Sequence, residues 1–291
     1  MPQKIAIAIV HGVGKQGPTF AEGMIRKLRE QFAKEAKLAP AAAAEALVFE
    51  PVYWGPVLHG VEEELWKRVR QGGDLDFVSL RRFVVDFAAD AIAYQPTPAD
   101  RHIYDAVHEV VATALRKLAL AAGEKAPLCV IAHSLGTVIA SNYLYDLATD
   151  PRRKKRKLIG ASVRELIGET PLEWSETLAF FYTLGSPIAI WSLRYKDFGV
   201  PVQVPAPQLA QHWPRLKGRW VNFYDSDDIL GYPLRPLNAA YRKVVAADLA
   251  INVGSFLMSW NPGAHMGYWE DKDVIGPIAH DLATAWRAVN G

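Results

Sequence analysis

Short, strongly apolar runs alternate with longer helical patterns along this chain, and that alternation limits its fold more than any other feature. The runs are Lys4–Val10 (KIAIAIV), Ala46–Trp54 (ALVFEPVYW), Leu128–Ala132 (LCVIA), Leu178–Leu184 (LAFFYTL), Trp220–Tyr224 (WVNFY) and a last one within Val244–Met258. They are continuous rather than alternating, which marks strands covered on both faces, and strand–helix alternation marks a parallel sheet. Pro51 lacks a ladder N–H and demotes part of the second run. Between the runs, Thr19 and Glu22 have capping-box spacing ahead of a stripe at Phe20, Met24, Leu28 and Phe32. A long amphipathic helix carries Ile103, Val107, Val110, Val111, Ala114, Leu115 and Leu118; others follow over Thr137–Leu147 and Val274–Val289. The expected fold is α/β, with a three-layer, open, mostly parallel sheet of about six strands and helices on both faces.

A length of 291 residues suits one large α/β domain over 1–291 with an insertion. Gly55–Pro98 stands outside the alternation. It holds two helical patterns, Val61–Arg70 and Val78–Tyr94, split by Gln71-Gly72-Gly73-Asp74, and is a candidate lid over the sheet's edge or mouth. Half the residues are hydrophobic, which excludes disordered and fibrous classes. The net charge of +2 gives no sign of a nucleic-acid partner. Six of the 33 basic residues sit in Arg152–Lys157 (RRKKRK), and without them 27 basic side chains face 31 acidic ones. Such a run is more often a solvated loop than a weak contact for an anionic surface. The single Cys129 excludes an internal disulfide framework and a multi-cysteine metal site. The N-terminal apolar run is too short for a secretory signal, and the charge-free stretches Ala126–Tyr145 and Leu249–Trp269 are broken by polar and helix-breaking residues. These features lead to the expectation of a cytoplasmic protein with no transmembrane segment.

Ala132-His133-Ser134-Leu135-Gly136 stands directly between an apolar strand and a helix. A serine on so tight a turn needs small residues two before and two after it. The turn lifts its hydroxyl out of the sheet and aims the N–H groups of the next helix at a neighbouring oxygen. A nucleophilic serine needs a base, and the base an orienting carboxylate, in the chain order Ser, acid, His. Of eight histidines, only His212, His265 and His280 follow the serine. His280 falls in a helical pattern and His212 in a Pro-rich linker, whereas His265 lies on the Gly/Pro loop WNPGAHMGYW. The acid belongs after WVNFY, where Asp225, Asp227 and Asp228 all stand, a cluster that equally suits a solvated turn. Val10-His11-Gly12-Val13-Gly14 follows the first strand, and its glycines let backbone approach a substrate. The Val13 and Leu135 N–H groups are the natural oxyanion donors. Gly12-Val13-Gly14-Lys15 is not a phosphate loop, since its glycine spacing is wrong and Gln16 follows the lysine. Ser186 precedes a proline and reads as a loop residue packed on the elbow. Trp54, Trp174, Trp191, Trp260 and Trp269 lie near strand ends, where acyl-pocket lining and core packing are equally open.

VHGVG, AHSLG, TLGSP (Thr183–Pro187), the DDIL turn and the histidine loop together resemble the α/β-hydrolase superfamily, and within it lipase-like serine esterases. The likeness runs from Ile5 to Trp269. It implies a Ser–His–Asp mechanism with an acyl-enzyme intermediate, no cofactor, and a small-molecule or lipid ester as substrate. By that resemblance Ser134, Asp228 and His265 are the triad, and Val13 and Leu135 the oxyanion donors. Asp228 is chosen because many such enzymes place the acid about four residues past the strand, before an apolar pair, here Ile229-Leu230. Two departures stand out: Ala132 replaces the commonest glycine, and the sheet starts at the VHGVG strand, so the first two strands of the full fold are missing. A non-catalytic binding protein on the same architecture is the alternative reading, although such proteins usually lose the serine, the histidine or the elbow glycine.

Overall fold

The computed structural model describes residues 2–13, 16–71, 88–97, 99–149, 158–253 and 264–291, with the side chains at 61, 62 and 264–266 outside that description. Six parallel strands form one sheet: β1 (Ile5–Val10), β2 (Leu47–Val52), β3 (Leu128–His133), β4 (Leu178–Leu184), β5 (Arg219–Asp225) and β6 (Val245–Ile251). Their order is β2-β1-β3-β4-β5-β6. Pro51 lies in β2, an edge strand, where a strand proline is tolerated.

Alternate residues of β1 build two cores. Ile5, Ile7 and Ile9 pack with Met24, Leu28 and Phe32 of helix Glu22–Ala36 and with Val274, Ile278 and Leu282 of helix Lys272–Asn290. Ala6, Ala8 and Val10 face the opposite layer, which contains Val107, Val111 and Leu115 of helix His102–Ala122 and Val138 of helix Leu135–Thr149. Each fully buried Ile or Leu side chain contributes roughly 1.5–3 kcal/mol, so β1 is anchored from both sides.

Two helix starts depart from expectation. The first helix begins at Glu22, not Thr19, with Ala21 as N-cap and no capping side chain. Turns closed by Phe20 N–H to the Gly17 carbonyl and Glu22 N–H to the Thr19 carbonyl delay it. In the insertion the helix Pro56–Gln71 starts five residues before Val61, because proline is favoured at a first helical position. Of the second pattern, Val78–Tyr94, residues 88–93 are helical and Tyr94 is buried, while residues 72–87, the start of that pattern included, lie outside the described residues. So does Arg152–Lys157. Among the described residues, no helix is long and apolar enough to cross a membrane.

The order places a topological switch between β1 and β3. The chain leaves β1 toward β2 on one side and leaves β3 toward β4 on the other. In open α/β sheets a crevice forms outside the carboxyl ends of such a strand pair, and ligands bind there. Residues 11–13 and Ser134 stand at these two strand ends.

Candidate active site

Ser134 joins β3 to helix Leu135–Thr149 with φ +53°, and it is fully buried. A non-glycine residue in the left-handed region is costly, and such strain persists only where its surroundings enforce it. Here the Ser134 N–H donates to the Leu184 carbonyl at 2.9 Å, while its own carbonyl accepts from Thr137 N–H at 2.9 Å and Thr137 Oγ1 at 2.7 Å. With its proton so committed, Thr137 Oγ1 accepts from Ser186 Oγ at 2.8 Å, and Ser186 Oγ accepts the Ile188 N–H at 3.3 Å. Ser186 therefore braces the turn from the neighbouring loop.

The loop after β1 is pressed onto this turn. A Cβ on Gly12 would stand 2.5 Å from the Ser134 Cβ, and one on Gly136 would stand 2.7 Å from the Val10 carbonyl oxygen. Both glycines are required by close approach, which brings the strand end of β1 against the serine. His11 is stacked on Trp54 at 4.9 Å, and the Trp54 indole N–H donates to the His11 carbonyl at 2.8 Å. His11 Nδ1 lies 2.7 Å from the Gly12 carbonyl, and Nε2 accepts the Gly55 N–H at 3.3 Å, so the proton belongs on Nδ1. Burial lowers the His11 pKa to about 4 and keeps the ring neutral. Val13 is buried beside this loop, and Leu135 is the first residue of the elbow helix. Gly14 and Lys15 lie outside the described residues.

The three acids after β5 are not equivalent, and only Asp227 sits on the solvated turn that the sequence suggests for all of them. Asp225 ends the strand buried, accepting the Val253 N–H at 2.6 Å on one oxygen and the Asp227 N–H at 2.8 Å on the other. Asp228 is also buried; it accepts the Leu230 N–H at 3.0 Å and the Tyr268 hydroxyl at 2.8 Å. Burial and the Asp228 charge raise the Tyr268 pKa, which keeps the phenol a donor. Tyr268 O also accepts the Asp225 N–H at 2.8 Å, and its ring lies 5.7 Å from that of His133, next to the serine. Tyr268 thus spans from the serine turn to the acid turn. Gly231 backs the same carboxylate, since a Cβ there would stand 2.7 Å from Asp228 Oδ2. Neither Tyr268 nor Gly231 stands out in the sequence; its signal for Tyr268 is the three-residue spacing from His265.

Position 265 belongs to the 3-10 helix Ala264–Glu270, and the His265 side chain lies outside the described residues. The other histidines after the serine are engaged elsewhere. His212 ends a short helix, Leu209–His212, and pairs with Glu176 at 3.3 Å; His280 pairs with Glu35 at 3.2 Å on the surface. His108, on helix His102–Ala122, is buried against Tyr94. Of the tryptophans, Trp54 backs His11, Trp269 lies 5.2 Å from the His133 ring, and Trp174 bonds the Gly168 carbonyl. Trp260 lies outside the described residues. Among the described residues, no three His, Cys, Asp or Glu side chains gather as a metal-ligand group.

No family model and no curated protein sequence matches the chain. Among solved structures it is similar to the esterase domain of a Rhodothermus marinus protein, at 11% identity over 99% of this chain and 89% of that one, with a TM-score of 0.38. It is similar to a fungal esterase from Rhizomucor miehei, at 11% identity over 98% and 77%, with a TM-score of 0.40. A metagenome-derived lipolytic enzyme gives 10% identity over 90% of each chain and a TM-score of 0.36.

Proposed function

We propose that the chain is a serine hydrolase that cleaves carboxylic esters through Ser134, His265 and Asp228. The observation that carries this reading is the left-handed Ser134, strained and braced at the switch point of a parallel sheet. In the proposed reaction His265 removes the Ser134 proton as Oγ attacks the ester carbonyl. The N–H groups of Val13 and Leu135 hold the resulting oxyanion. Collapse expels the alcohol, which takes its proton from His265, and water then hydrolyses the acyl-serine to release the acid. Asp228 keeps the imidazole in the tautomer that accepts the serine proton. Positions three apart on a 3-10 helix lie over one another, which supports pairing position 265 with the face that carries Tyr268 to Asp228.

The competing reading is a binding protein on the same architecture, and the complete burial of Ser134 favours it. Labelling with a fluorophosphonate probe separates the two. Wild-type protein should label stoichiometrically and Ser134→Ala not at all. A wild-type protein that never labels decides for the binding protein.

A further inference from the structure

A cavity of about 300 Å³ opens along the flank of the elbow helix, and neither Ser134, Leu135 nor Asp228 lines it. Val138, Ser141, Asn142 and Tyr145 form one wall, at positions that share one face of helix Leu135–Thr149. Trp191, Tyr195, Phe198 and Tyr241 close the other sides. Aromatic walls with a few polar groups are the makeup of a small-molecule site. Burial pushes the Tyr241 phenol up to about 12, so that hydroxyl is neutral. Among the described residues that line it, Lys196 alone is charged. The Arg194 guanidinium adds a second positive charge beside the cavity, 5.7 Å over Trp191 and 5.2 Å over Tyr195.

The turn that carries Lys196 and Phe198 is strained. Asp197, Phe198 and Gly199 follow one another at φ 49°, 58° and 74°. Glycine takes this conformation freely and aspartate tolerates it, but a bulky aromatic residue there is an outlier. The Asn238 amide enforces it, donating to the Asp197 carbonyl at 2.7 Å and the Gly199 carbonyl at 3.0 Å. Strain of this kind collects at ligand clamps, and here it fixes Phe198 in the cavity wall.

We propose that this cavity binds an amphiphilic carboxylate, its apolar chain or ring between the aromatic walls and its anionic group at Lys196. The assignment does not depend on hydrolysis at Ser134. Isothermal titration with decanoate and with decyltrimethylammonium tests it, on wild type, Lys196→Glu and Ser141→Trp, each checked for folding by circular dichroism. Decanoate should bind saturably at one site. The surface substitution Lys196→Glu should weaken it about tenfold or more, the scale of one lost charge-assisted contact. Ser141→Trp, which fills the cavity, should abolish binding. An absence of saturable decanoate binding overturns the proposal, as does binding that Lys196→Glu leaves unchanged. Equal affinity for the ammonium amphiphile overturns the anionic class.

Discussion

The carboxylates of Asp225 and Asp228 lie three residues apart and are both buried, yet their partners differ. Asp225 spends both oxygens on backbone N–H groups. Asp225→Asn turns an amide donor toward one of them and should cost about 1–3 kcal/mol of stability, the scale for a buried polar group left unpaired. A denaturant titration reads that loss, with activity per folded molecule little changed. Asp228→Asn should instead leave the denaturation midpoint near wild type and cut ester turnover steeply, on the order of 10⁴-fold. If Asp225→Asn proves the catalytically crippling change, the proposed triad acid moves from Asp228 to Asp225. Tyr268→Phe removes the hydroxyl that donates to Asp228 and keeps the buried ring. That bond fixes the carboxylate, and a carboxylate free to shift would orient the imidazole less well, so kcat/KM should fall roughly tenfold or more. With that bond gone, the Asp228 charge stabilises the imidazolium more strongly, and the acid limb of the pH–rate profile should move to higher pH. An unshifted limb would leave Tyr268 a structural role, in packing and in the bond it accepts from the Asp225 N–H.

At the scale of elements, the elbow depends on two glycines whose absent side chains let strand ends meet. Gly136→Ala drives a methyl into the carbonyls of Val10 and His11. The helix must move away, which should cost about 1–3 kcal/mol, as overpacking does, and reduce fluorophosphonate labelling of Ser134. Full labelling in a protein of wild-type stability would mean that the β1 contact does not hold the serine. The central strands were legible because they are buried on both faces: Leu178–Leu184 is continuous in sequence and buried throughout β4. Pro51, which weakens part of the second run by sequence, lies within β2 because that strand stands at the sheet edge. The helix starts at Glu22 and Pro56 differ from the sequence pattern because turn geometry and proline placement prevail over a capping pattern and an apolar stripe. At the site, the serine turn and the loop after β1 could be read locally, since strand, glycine and helix are adjacent in sequence. The bond from Tyr268 to Asp228 spans 40 residues, and the positive φ of Ser134 is enforced by Leu184, so neither had a local signal.

At the scale of the whole molecule, the buried imidazoles of His11 and His108 couple folding to pH. His11 is held at about 4 and His108 at about 3, in both cases chiefly by burial. His108 sits among Tyr94, Tyr104 and Tyr143, with Arg101 further opposing its protonation. Asn142 donates to the Tyr94 hydroxyl at 3.3 Å, and that hydroxyl lies 2.9 Å from His108 Nε2, which can accept a hydrogen bond only while the ring is neutral. An unfolded chain protonates both rings near the ordinary value of about 6.5, so below that pH the unfolded state binds more protons than the native one. Stability is then complete above about 6.5 and falls as the pH drops, with His11 adding no further loss below about 4 and His108 none below about 3. At 1.36 kcal/mol per pH unit, each ring should remove about 2 kcal/mol at pH 5. With an unfolding entropy of about 2.1 cal/mol/K per residue over 291 residues, a combined loss of about 4 kcal/mol should lower Tm by roughly 6–7 °C between pH 7 and pH 5. Melting curves of His108→Gln should start lower at pH 7, because packing against the tyrosines is lost, but show about half the wild-type dependence on pH. A variant with the full wild-type slope would place the acid sensitivity elsewhere.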